Sequence, residues 1–311
     1  MKFSEEVADA LSDGRAVVAL ESTIIAHGFP QPDNLAVGKA MEKAVRDNGA
    51  VPATIAIVDG EVLIGLTSAS MERLATGTFR KTSLKDMAGC IAASGDGATT
   101  VATTAYLAHR AGIPMFATGG IGGVHPPVDG MPPDISADLY GMQQIPVGIV
   151  SAGAKSILDL PATLEMLESF GVPVVGYQTD VFPAFHTKSS GLSLAQRFND
   201  TVSIARMLRA HWDLGLRTSV MICNPPPDSA AIDGGQLALW LESAHRAAAE
   251  QRVRGADLTP WLLAYLNRIS DGATRRVNYA LAVSNAGLAA QIAVAIGPGG
   301  SGGAEGAIRQ G

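Results

Sequence analysis

The sequence is poor in cysteine and has no surplus of basic residues, and each shortage excludes a class of protein. Its 311 residues include only two cysteines, Cys90 and Cys223, which lie far apart and outside any metal-ligand spacing. A disulfide framework is therefore not expected. The formal net charge of -6 disfavours nucleic acid as a general partner, because phosphate backbones bind to basic faces. A local cationic pocket for one phosphate is still compatible with this charge.

Long apolar runs and secretion signals are also missing. No apolar run reaches the roughly 18 residues that suggest a membrane span. The N-terminal stretch "MKFSEEVADALSDG" is acidic and amphipathic, unlike a signal peptide. We therefore expect a cytoplasmic protein with no membrane partner. No repeat or linker divides residues 1–296, which we predict to form one catalytic domain, whereas the glycine-rich segment 297–311 is predicted to be a disordered tail.

Apolar strands alternate with helices along most of the chain. The stretch "ATIAIVDGEVLIGL" has two β-like runs joined by Asp59 and Gly60, which is a strong hairpin signal. Further on, the helix "TTVATTAYLAHRAG" leads to the strand "PMFATGG", and three more helix–strand pairs follow. This alternation predicts an α/β protein, a three-layer α/β/α fold with a mostly parallel central sheet. Additional C-terminal helices are predicted from Gly234 onward.

Polar or glycine-rich stretches follow several of the predicted strands. They read "LEST", "ATGGIGGVHPP", "SAGAK", "YQTD" and "CNPPP". Ligands of open α/β sheets bind outside the carboxyl ends of the strands. We therefore expect one shared rim that contains Glu21, residues 118–123, Lys155, Asp180 and Asn224.

Lys155 and Glu21 are the candidates for chemistry, and each has an ordinary alternative. A lysine between a strand and a helix is usually a solvated loop charge. The small and apolar residues before Lys155 would desolvate its amine and favour the neutral form, which attacks carbonyl carbons. Glu21 is either a strand-end acid that faces water or a general acid or base. These residues alone leave both alternatives open.

Asp134 and Asp138 lie four residues apart in "DISADL", a spacing that predicts one helical face. By itself the pattern favours an N-cap aspartate followed by a first-turn acid. The alternative is a hard oxygen site for Mg²⁺ or Mn²⁺. His125 lies between glycines and prolines in "GGVHPP", and a lone histidine is weak evidence for a site.

The stretch "GDGATTVATT" predicts a glycine turn that opens a helix with Thr99 and Thr100 in its first turn. Free N–H groups at such a helix start bind phosphate well, although an ordinary threonine-rich start is the alternative. The pattern is neither a P-loop nor GxGxxG. Lys81 in "FRKTSLKD" is either the cationic partner of a phosphate or a surface lysine.

Five long stretches, taken together, resemble one known family. They are "ALESTIIAHGFPQPDNL", "GATTVATT", "FATGGIGGVH", "DISADL" and the segment from "SAGAKSILDL" to "GYQTDVFPAF". In this order they resemble the pseudouridine-5′-phosphate glycosidases, over residues 4–296. Motifs of this length in the right order are specific.

The resemblance implies reversible cleavage of pseudouridine 5′-phosphate to uracil and ribose 5-phosphate. It also implies a divalent metal, usually Mn²⁺, and an α/β/α homotrimer. By motif position, Lys155 is the Schiff-base lysine, Glu21 the proton donor and Asp134 the metal ligand. The positions implied to contact or adjoin the substrate are Lys81, Val101, Ser136, Ala137, Asp138, His125 and Asn285, with Thr99 and Thr100 completing a phosphate clamp.

The chain departs from the family pattern at two places, and two other functions compete. The segment "PPVDGMPP" is proline-rich, which puts its loop geometry in doubt, and His186 stands where many relatives carry an aromatic residue. One competing function is a Schiff-base aldolase that acts on a sugar phosphate. The other is a sugar-phosphate sensor without catalysis, which would bind ribose 5-phosphate but form no imine.

Overall fold

Helices cover both faces of a central β-sheet in the computed structural model, which describes residues 1–127, 133–253 and 258–297. The strands are β1 (Lys2–Phe3), β2 (Val17–Leu20), β3 (Val51–Val58), β4 (Glu61–Ile64), β5 (Arg80–Thr82), β6 (Gly97–Thr99), β7 (Met115–Ala117), β8 (Gly148–Ser151), β9 (Val174–Tyr177), β10 (Gln196–Phe198) and β11 (Val220–Cys223). The helices are α1 (Glu5–Ser12), α2 (Thr23–Ala26), α3 (Asp33–Asp47), α4 (Ser68–Thr76), α5 (Leu84–Ala92), α6 (Val101–Arg110), α7 (Ala137–Gln144), α8 (Leu160–Ser169), α9 (Thr201–Asp213), α10 (Gly234–Glu250), α11 (Leu258–Ile269) and α12 (Ala273–Ile296).

The sheet is mostly parallel, and its order places side by side three strands that are followed by candidate site residues. The strands run β1-β4-β3-β2-β7-β8-β11-β9-β10, and β5 joins through β6, which pairs with β3. Only β3 makes antiparallel pairs among the described strands, with β4 and β6. The carboxyl ends of β2, β7 and β8 therefore meet at one edge of the sheet, where Glu21, Thr118 and the "SAGAK" loop follow them.

Strand side chains alternate between two apolar cores, one on each face of the sheet. In β2, Val18 and Leu20 face the core formed with α2, α3, α4, α9 and α12. Val17 and Ala19 face the core formed with α1, α6, α7, α8, α10 and α11. Successive side chains of a strand point to opposite faces of the sheet. Because an apolar core covers each face, both sets are buried and the strands form continuous apolar runs in the sequence. The predicted three-layer α/β/α fold is confirmed.

The predicted hairpin and helices are confirmed, but several short elements were missed. Strands β3 and β4 pair antiparallel around Asp59 and Gly60, as expected. The strands β1, β5, β6 and β10 have two or three residues each, which is too short to show a period. In β5 the residues are Arg80, Lys81 and Thr82, and such polar residues do not suggest a strand. The helices α2, α4 and α5 were also not predicted.

No unbroken apolar run reaches about 18 residues, as expected, but one helix is apolar on average. The helix α12 contains an 18-residue window of mean hydropathy 1.6, so the chain does hold a segment apolar enough to pass a composition test for a membrane span. Of that window, 61% is buried inside the protein, and the helix packs against β2, β7, β8, α3 and α9. Polar Asn285 interrupts the run, which is why no continuous apolar stretch is visible. This burial is that of a core helix in an α/β fold.

The end of α12 at Ile296 coincides with the predicted end of the catalytic domain. The predicted disordered tail lies, beyond Gly297, outside the described residues. The central part of the proline-rich segment, residues 128–132, also lies outside them.

Candidate active site

A cavity of about 650 Å³ lies at the carboxyl edge of the sheet. Strand-end residues from β2 and β8 meet there with the start of α6, the start of α7 and the strand β5. Most of the residues predicted from the sequence line this cavity: Glu21, Lys81, Thr100, Val101, His125, Asp134, Ser136, Ala137, Asp138 and Lys155. Two predicted site residues, Thr99 and Asn285, are not among the residues that line it.

Lys155 is held by the loop that follows β7. Its backbone N–H donates to the carbonyl of Ile121 at 3.1 Å, and its Nζ donates to the carbonyl of Gly120 at 3.1 Å. The turn before it needs Gly153, which has φ +81° and whose Cβ, if present, would lie 2.1 Å from the carbonyl oxygen of Pro183. The lysine is half-buried behind Ala152 and Ala154, which are fully buried. The amine is therefore held at the cavity wall by the carbonyl of Gly120, on the loop after β7.

Glu21 is a buried carboxyl group beside that amine. It is 6% exposed, and its two oxygens accept hydrogen bonds from the hydroxyls of Thr23 and Thr118. Burial raises the pKa of Glu21 above its ordinary value, although the positive charge of Lys155 and the two threonine hydrogen bonds oppose this rise. A carboxyl group with a raised pKa can hold a proton nearer neutral pH, which suits a proton donor.

Asp138 organises the backbone around the cavity. Its Oδ1 accepts from the N–H of Ala102 at 3.0 Å, and its Oδ2 accepts from the N–H of Gly122 at 2.9 Å. It is 6% exposed. Both oxygens are thus engaged in tying the start of α6 to the loop after β7.

The expectation that Asp134 caps a helix is wrong. The helix α7 begins at Ala137, and its N-cap is Ser136, whose Oγ accepts from the N–H of Asp138 at 3.2 Å. Asp134 lies before the helix, so it does not share a helical face with Asp138 as the spacing suggested. The serine makes the better cap here because its hydroxyl lies next to the first free N–H groups. The exposed Asp134 carboxylate instead lines the cavity.

Lys81 brings a second positive charge to the cavity. It lies on β5 between Arg80 and Thr82. Loss of hydration lowers the pKa of Lys81, and the positive charge of Lys155 lowers it further. The two ammonium groups therefore repel each other across the cavity, and an anion bound between them would relieve that repulsion. Arg80 and Lys85 add positive charge to the same wall.

The prediction that Thr99 and Thr100 lie in the first turn of a helix is wrong. Thr99 ends the strand β6, and Thr100 is the N-cap residue of α6, which begins at Val101. The Thr99 hydroxyl is fully buried and donates to the carbonyl of Ile55 at 2.7 Å, while its N–H donates to Ser22 at 2.8 Å. Thr99 therefore holds the sheet together behind the site, whereas Thr100 faces the cavity.

Asn285 supports the site from behind instead of lining it. This fully buried residue of α12 donates from Nδ2 to the carbonyl of Thr118 at 2.8 Å. Its Oδ1 accepts from the side-chain amide of Asn224 at 2.9 Å. The expectation that Asn224 and Asp180 share the ligand rim is not met, because neither lines the cavity and Asp180 is exposed. The loop after β9 does reach the loops after β7 and β8 through Phe185 and His186, but Asp180 itself lies outside the cavity.

His125 closes one side of the cavity. Its N–H donates to the carbonyl of Asp134 at 2.9 Å, and its Nε2 lies 3.3 Å from the hydroxyl of Thr259. Burial lowers the pKa of His125, and the charge of Asp134 opposes that effect. The buried Nδ1 has no hydrogen-bond partner among the described residues.

The donor set fits a weakly held cation better than a protein-built metal cage. Among residues 1–127, 133–253 and 258–297, no three His, Cys, Asp or Glu side chains cluster to hold a metal. Asp138 uses both carboxylate oxygens on backbone N–H groups, which leaves Asp134 as the cavity carboxylate best placed for a cation. Mg²⁺ and Mn²⁺ sites often use one carboxylate together with waters and substrate phosphate.

Several residues that line the cavity were missed from the sequence. They are Thr23, Arg80, Ser83, Lys85, Asp86, Ile135, Leu158 and Thr259. The clustering of Arg80, Lys81 and Lys85 in "FRKTSLKD" was visible, but nothing showed that this segment returns to the sheet edge through β5 and β6. Thr259 lies on α11, more than a hundred residues from the other parts of the site.

Comparison with known proteins identifies the family of this chain. The model of the family described as indigoidine synthase A like protein matches residues 6–295. The chain belongs to this family. Two curated relatives are both named pseudouridine-5′-phosphate glycosidase. The one from Caldanaerobacter subterraneus subsp. tengcongensis is 46% identical, over 94% of this chain and 95% of the relative. The one from Legionella pneumophila is 44% identical, over 95% of each chain. The resemblance inferred from the motifs is confirmed.

Solved structures extend the similarity to the fold. The crystal structure of the prealnumycin C-glycosynthase AlnA in complex with ribulose 5-phosphate has a TM-score of 0.87 and 38% identity, and the match covers 95% of this chain and 96% of that one. An indigoidine synthase A-like protein of Thermotoga maritima has a TM-score of 0.85 and 31% identity, over 94% and 95% of the two chains. The three-layer fold is therefore that of this family.

Proposed function

We propose that this protein reversibly cleaves the C–C glycosidic bond of pseudouridine 5′-phosphate to give uracil and ribose 5-phosphate. The observation that carries the proposal is that the buried Glu21 carboxyl and the Lys155 amine line one cavity and interact electrostatically. Relatives at 44–46% identity named for this activity support it, as does a C-glycosynthase neighbour that binds a pentose 5-phosphate.

A lysine amine suits this bond because the leaving atom is carbon. Ordinary glycosidases protonate a leaving oxygen and use two carboxylates. A C-glycoside has no such oxygen, so the electrons of the broken bond need another way to be accommodated. The bonding electrons leave with the uracil carbon C5, which then takes a proton. An amine at C1′ donates its lone pair to C1′ and forms a C=N bond as the C–C bond breaks.

The proposed steps keep atoms and electrons in balance. The Lys155 nitrogen bonds to C1′ while the ring oxygen O4′ leaves and takes a proton. The C1′–C5 bond then breaks as the nitrogen lone pair forms the imine, and the uracil carbon C5 takes a proton. Water adds to the imine and releases open-chain ribose 5-phosphate, which restores the amine. The sum is one water consumed for each uracil and ribose 5-phosphate formed.

Glu21 is the proposed proton donor in these steps. Its raised pKa keeps the acid form available at higher pH than an exposed glutamate would. The hydroxyls of Thr23 and Thr118 fix the two oxygens, so the carboxyl group keeps one orientation toward the cavity. Protonation of O4′ or of the uracil carbon is work that a group in this position can do.

The phosphate is proposed to bind between Lys81 and the start of α6. Thr100 and Val101 line the cavity at that helix start, where N–H groups favour anions. Ala102 contributes little because its N–H already donates to Asp138. Asp134 would hold Mn²⁺ or another divalent cation, and such a cation supplies positive charge that neutralises and orients a phosphate.

The assembly and location of the enzyme are also part of the proposal. The family resemblance supports a homotrimer, and an acidic chain with two buried cysteines fits the cytoplasm. Light scattering coupled to gel filtration measures the assembly directly: a trimeric mass is expected, and a monomeric mass at micromolar concentration contradicts it.

The proposal is tested by measuring uracil release from pseudouridine 5′-phosphate by chromatography. The reaction is run with added Mn²⁺ and then with chelator. Release that stops on chelation and returns with Mn²⁺ is expected. Uracil release that persists in chelator would support the reaction but contradict the role of Asp134 as a metal ligand. No release from folded, metal-loaded protein contradicts the proposed function, and a panel of sugar phosphates then tests the aldolase alternative.

A further inference from the structure

His186 is a buried imidazole that bonds to the residue next to Lys155. It is 2% exposed, and its Nδ1 lies 2.9 Å from the hydroxyl of Ser156, which is itself 5% exposed. Burial lowers the pKa of His186 to about 3, so the ring is neutral at neutral pH. Neither residue lines the 650 Å³ cavity. The pair therefore does not contact substrate there, yet Ser156 is the next residue after the proposed nucleophile, Lys155.

The chain that carries His186 contacts both loops that hold the lysine. The N–H of Phe185 donates to the carbonyl of Ala152 at 3.0 Å, just before the "GAK" turn. The Phe185 ring packs on Gly120, where an added Cβ would come within 2.6 Å of it. Gly120 is the residue whose carbonyl accepts the hydrogen bond from Lys155 Nζ.

This segment is held in a strained backbone shape. Phe185 has φ 62°, a left-handed conformation that costs a bulky residue roughly 1–3 kcal/mol and persists only where the surroundings enforce it. That conformation directs the Phe185 ring toward one loop and the following His186 ring toward the other. The Ser156–His186 hydrogen bond fixes the loop after β8, which carries Lys155. In the same loop the N–H of Leu158 donates to the carbonyl of Lys155 at 3.0 Å and closes a turn.

We propose that His186, acting through Ser156, is a positioning residue that sets the approach of the Lys155 amine to C1′. The proposal rests on the imine chemistry of the proposed function. Without the bond, the turn from Lys155 to Leu158 relaxes, and the amine reaches the sugar less often in a reactive orientation. Misplacement of about 1 Å at a reacting group can cost on the order of 100-fold in rate.

The test measures how fast borohydride traps the imine formed with saturating ribose 5-phosphate. Ser156→Ala and His186→Phe each remove the bond, and we expect each to lower the trapping rate constant by about 10- to 100-fold. The double variant should be no slower than the slower single variant, because both remove one interaction. His186→Asn keeps a polar atom near the Nδ1 position and should recover part of the rate.

Three further measurements separate positioning from a general structural role. The affinity for ribose 5-phosphate, the final trapped stoichiometry and the Tm should change much less than the rate constant. The matched control is Ser243→Ala, which removes a hydroxyl contact with Tyr265, 3.1 Å long, between α10 and α11; its trapping rate should equal that of the wild type.

The outcomes are distinguishable. If wild-type protein traps no sugar, the proposed function fails. If wild-type protein traps sugar and both single variants trap it at the wild-type rate, the positioning role is overturned. It is also overturned if the loss of rate follows only the loss of folded protein, with additive effects in the double variant and no recovery in His186→Asn.

Discussion

The cavity has a buried part and an exposed part, and the two are built differently. The buried part consists of buried Glu21 with half-buried Thr23 and Lys155, whose polar atoms are held by hydrogen bonds within the protein. The exposed part consists of Arg80, Lys81, Lys85 and Asp134, all of which are exposed to solvent at the cavity wall. The first arrangement fixes groups in place, whereas the second supplies charge.

This difference assigns separate tasks to the two parts. Groups fixed in a poorly hydrated site stabilise a transition state well because they do not need to reorganise. Exposed charges attract an anion over a distance, but water and salt screen them. Changes in the buried part should therefore lower kcat, and changes in the exposed part should raise KM.

The largest effect is expected for Lys155→Ala. Removing the proposed nucleophile should lower uracil release by on the order of 1,000-fold or more, with little change in Tm. Lys43→Ala is the matched control, because Lys43 makes only a surface ion pair with Asp47. A Lys155→Ala variant with normal turnover contradicts the mechanism.

Glu21→Gln should have the next largest effect on activity. It keeps the shape of the side chain but cannot donate the proton, so kcat should fall by about 100- to 10,000-fold. KM should stay within a few-fold of the wild-type value. Steady-state kinetics with pseudouridine 5′-phosphate check this, and a loss confined to KM would move Glu21 out of the proton-transfer role.

Lys81→Gln should affect binding more than chemistry. Loss of a charge-assisted hydrogen bond worth about 1.5–3 kcal/mol corresponds to a rise in KM of roughly 10- to 100-fold. This rise in KM should vanish for pseudouridine, which lacks the phosphate. The wild type and the variant should bind pseudouridine equally weakly. An effect of the same size on the unphosphorylated nucleoside would show that Lys81 does not contact phosphate.

Glu21→Gln should also change how stability depends on pH. Because the folded-state pKa of Glu21 is raised, its favourable contribution is full below the ordinary value and is lost as pH rises through the folded value. The glutamine variant lacks this loss, so its Tm should rise relative to that of the wild type as the pH is raised. The difference should disappear near pH 4. Thermal unfolding across pH measures it, and a constant difference would mean that Glu21 does not titrate as described.

The smallest effect is expected for Lys85→Ala. The side chain of Lys85 is 84% exposed, so it should raise KM by no more than about 3-fold at low salt. That rise should disappear at high ionic strength, where the Debye length is about 3 Å in 1 M salt. A large, salt-resistant effect would place Lys85 in direct contact with substrate.

The carboxyl-edge rule located the site because β2, β7 and β8 are adjacent in the sheet. It also placed Asp180 and Asn224 at the same rim, since the rule names an edge and not a set of strands. Which of the strand-end residues reach the cavity depends on long-range packing. Strand β11 adjoins β8, yet Asn224 after it bonds to Asn285 behind the site, and neither Asn224 nor Asp180 lines the cavity.

Local patterns were least informative where one residue competes with another for the same task. Four-residue spacing suggested that Asp134 caps a helix, but Ser136 lies closer to the free N–H groups and caps it. Thr99 was placed in a helix because β6 has only three residues. Asn285 was named near the site, and only the fold shows that it acts from behind, on the carbonyl of Thr118.

The most direct test of the central claim is to find where the sugar becomes attached. The protein would be incubated with ribose 5-phosphate and borohydride, digested, and mapped by mass spectrometry. The structure predicts one reduced adduct per chain, on the peptide that carries Lys155. An adduct on Lys81 instead, or no adduct from protein that still releases uracil from pseudouridine 5′-phosphate, would contradict the claim that Lys155 forms the covalent bond.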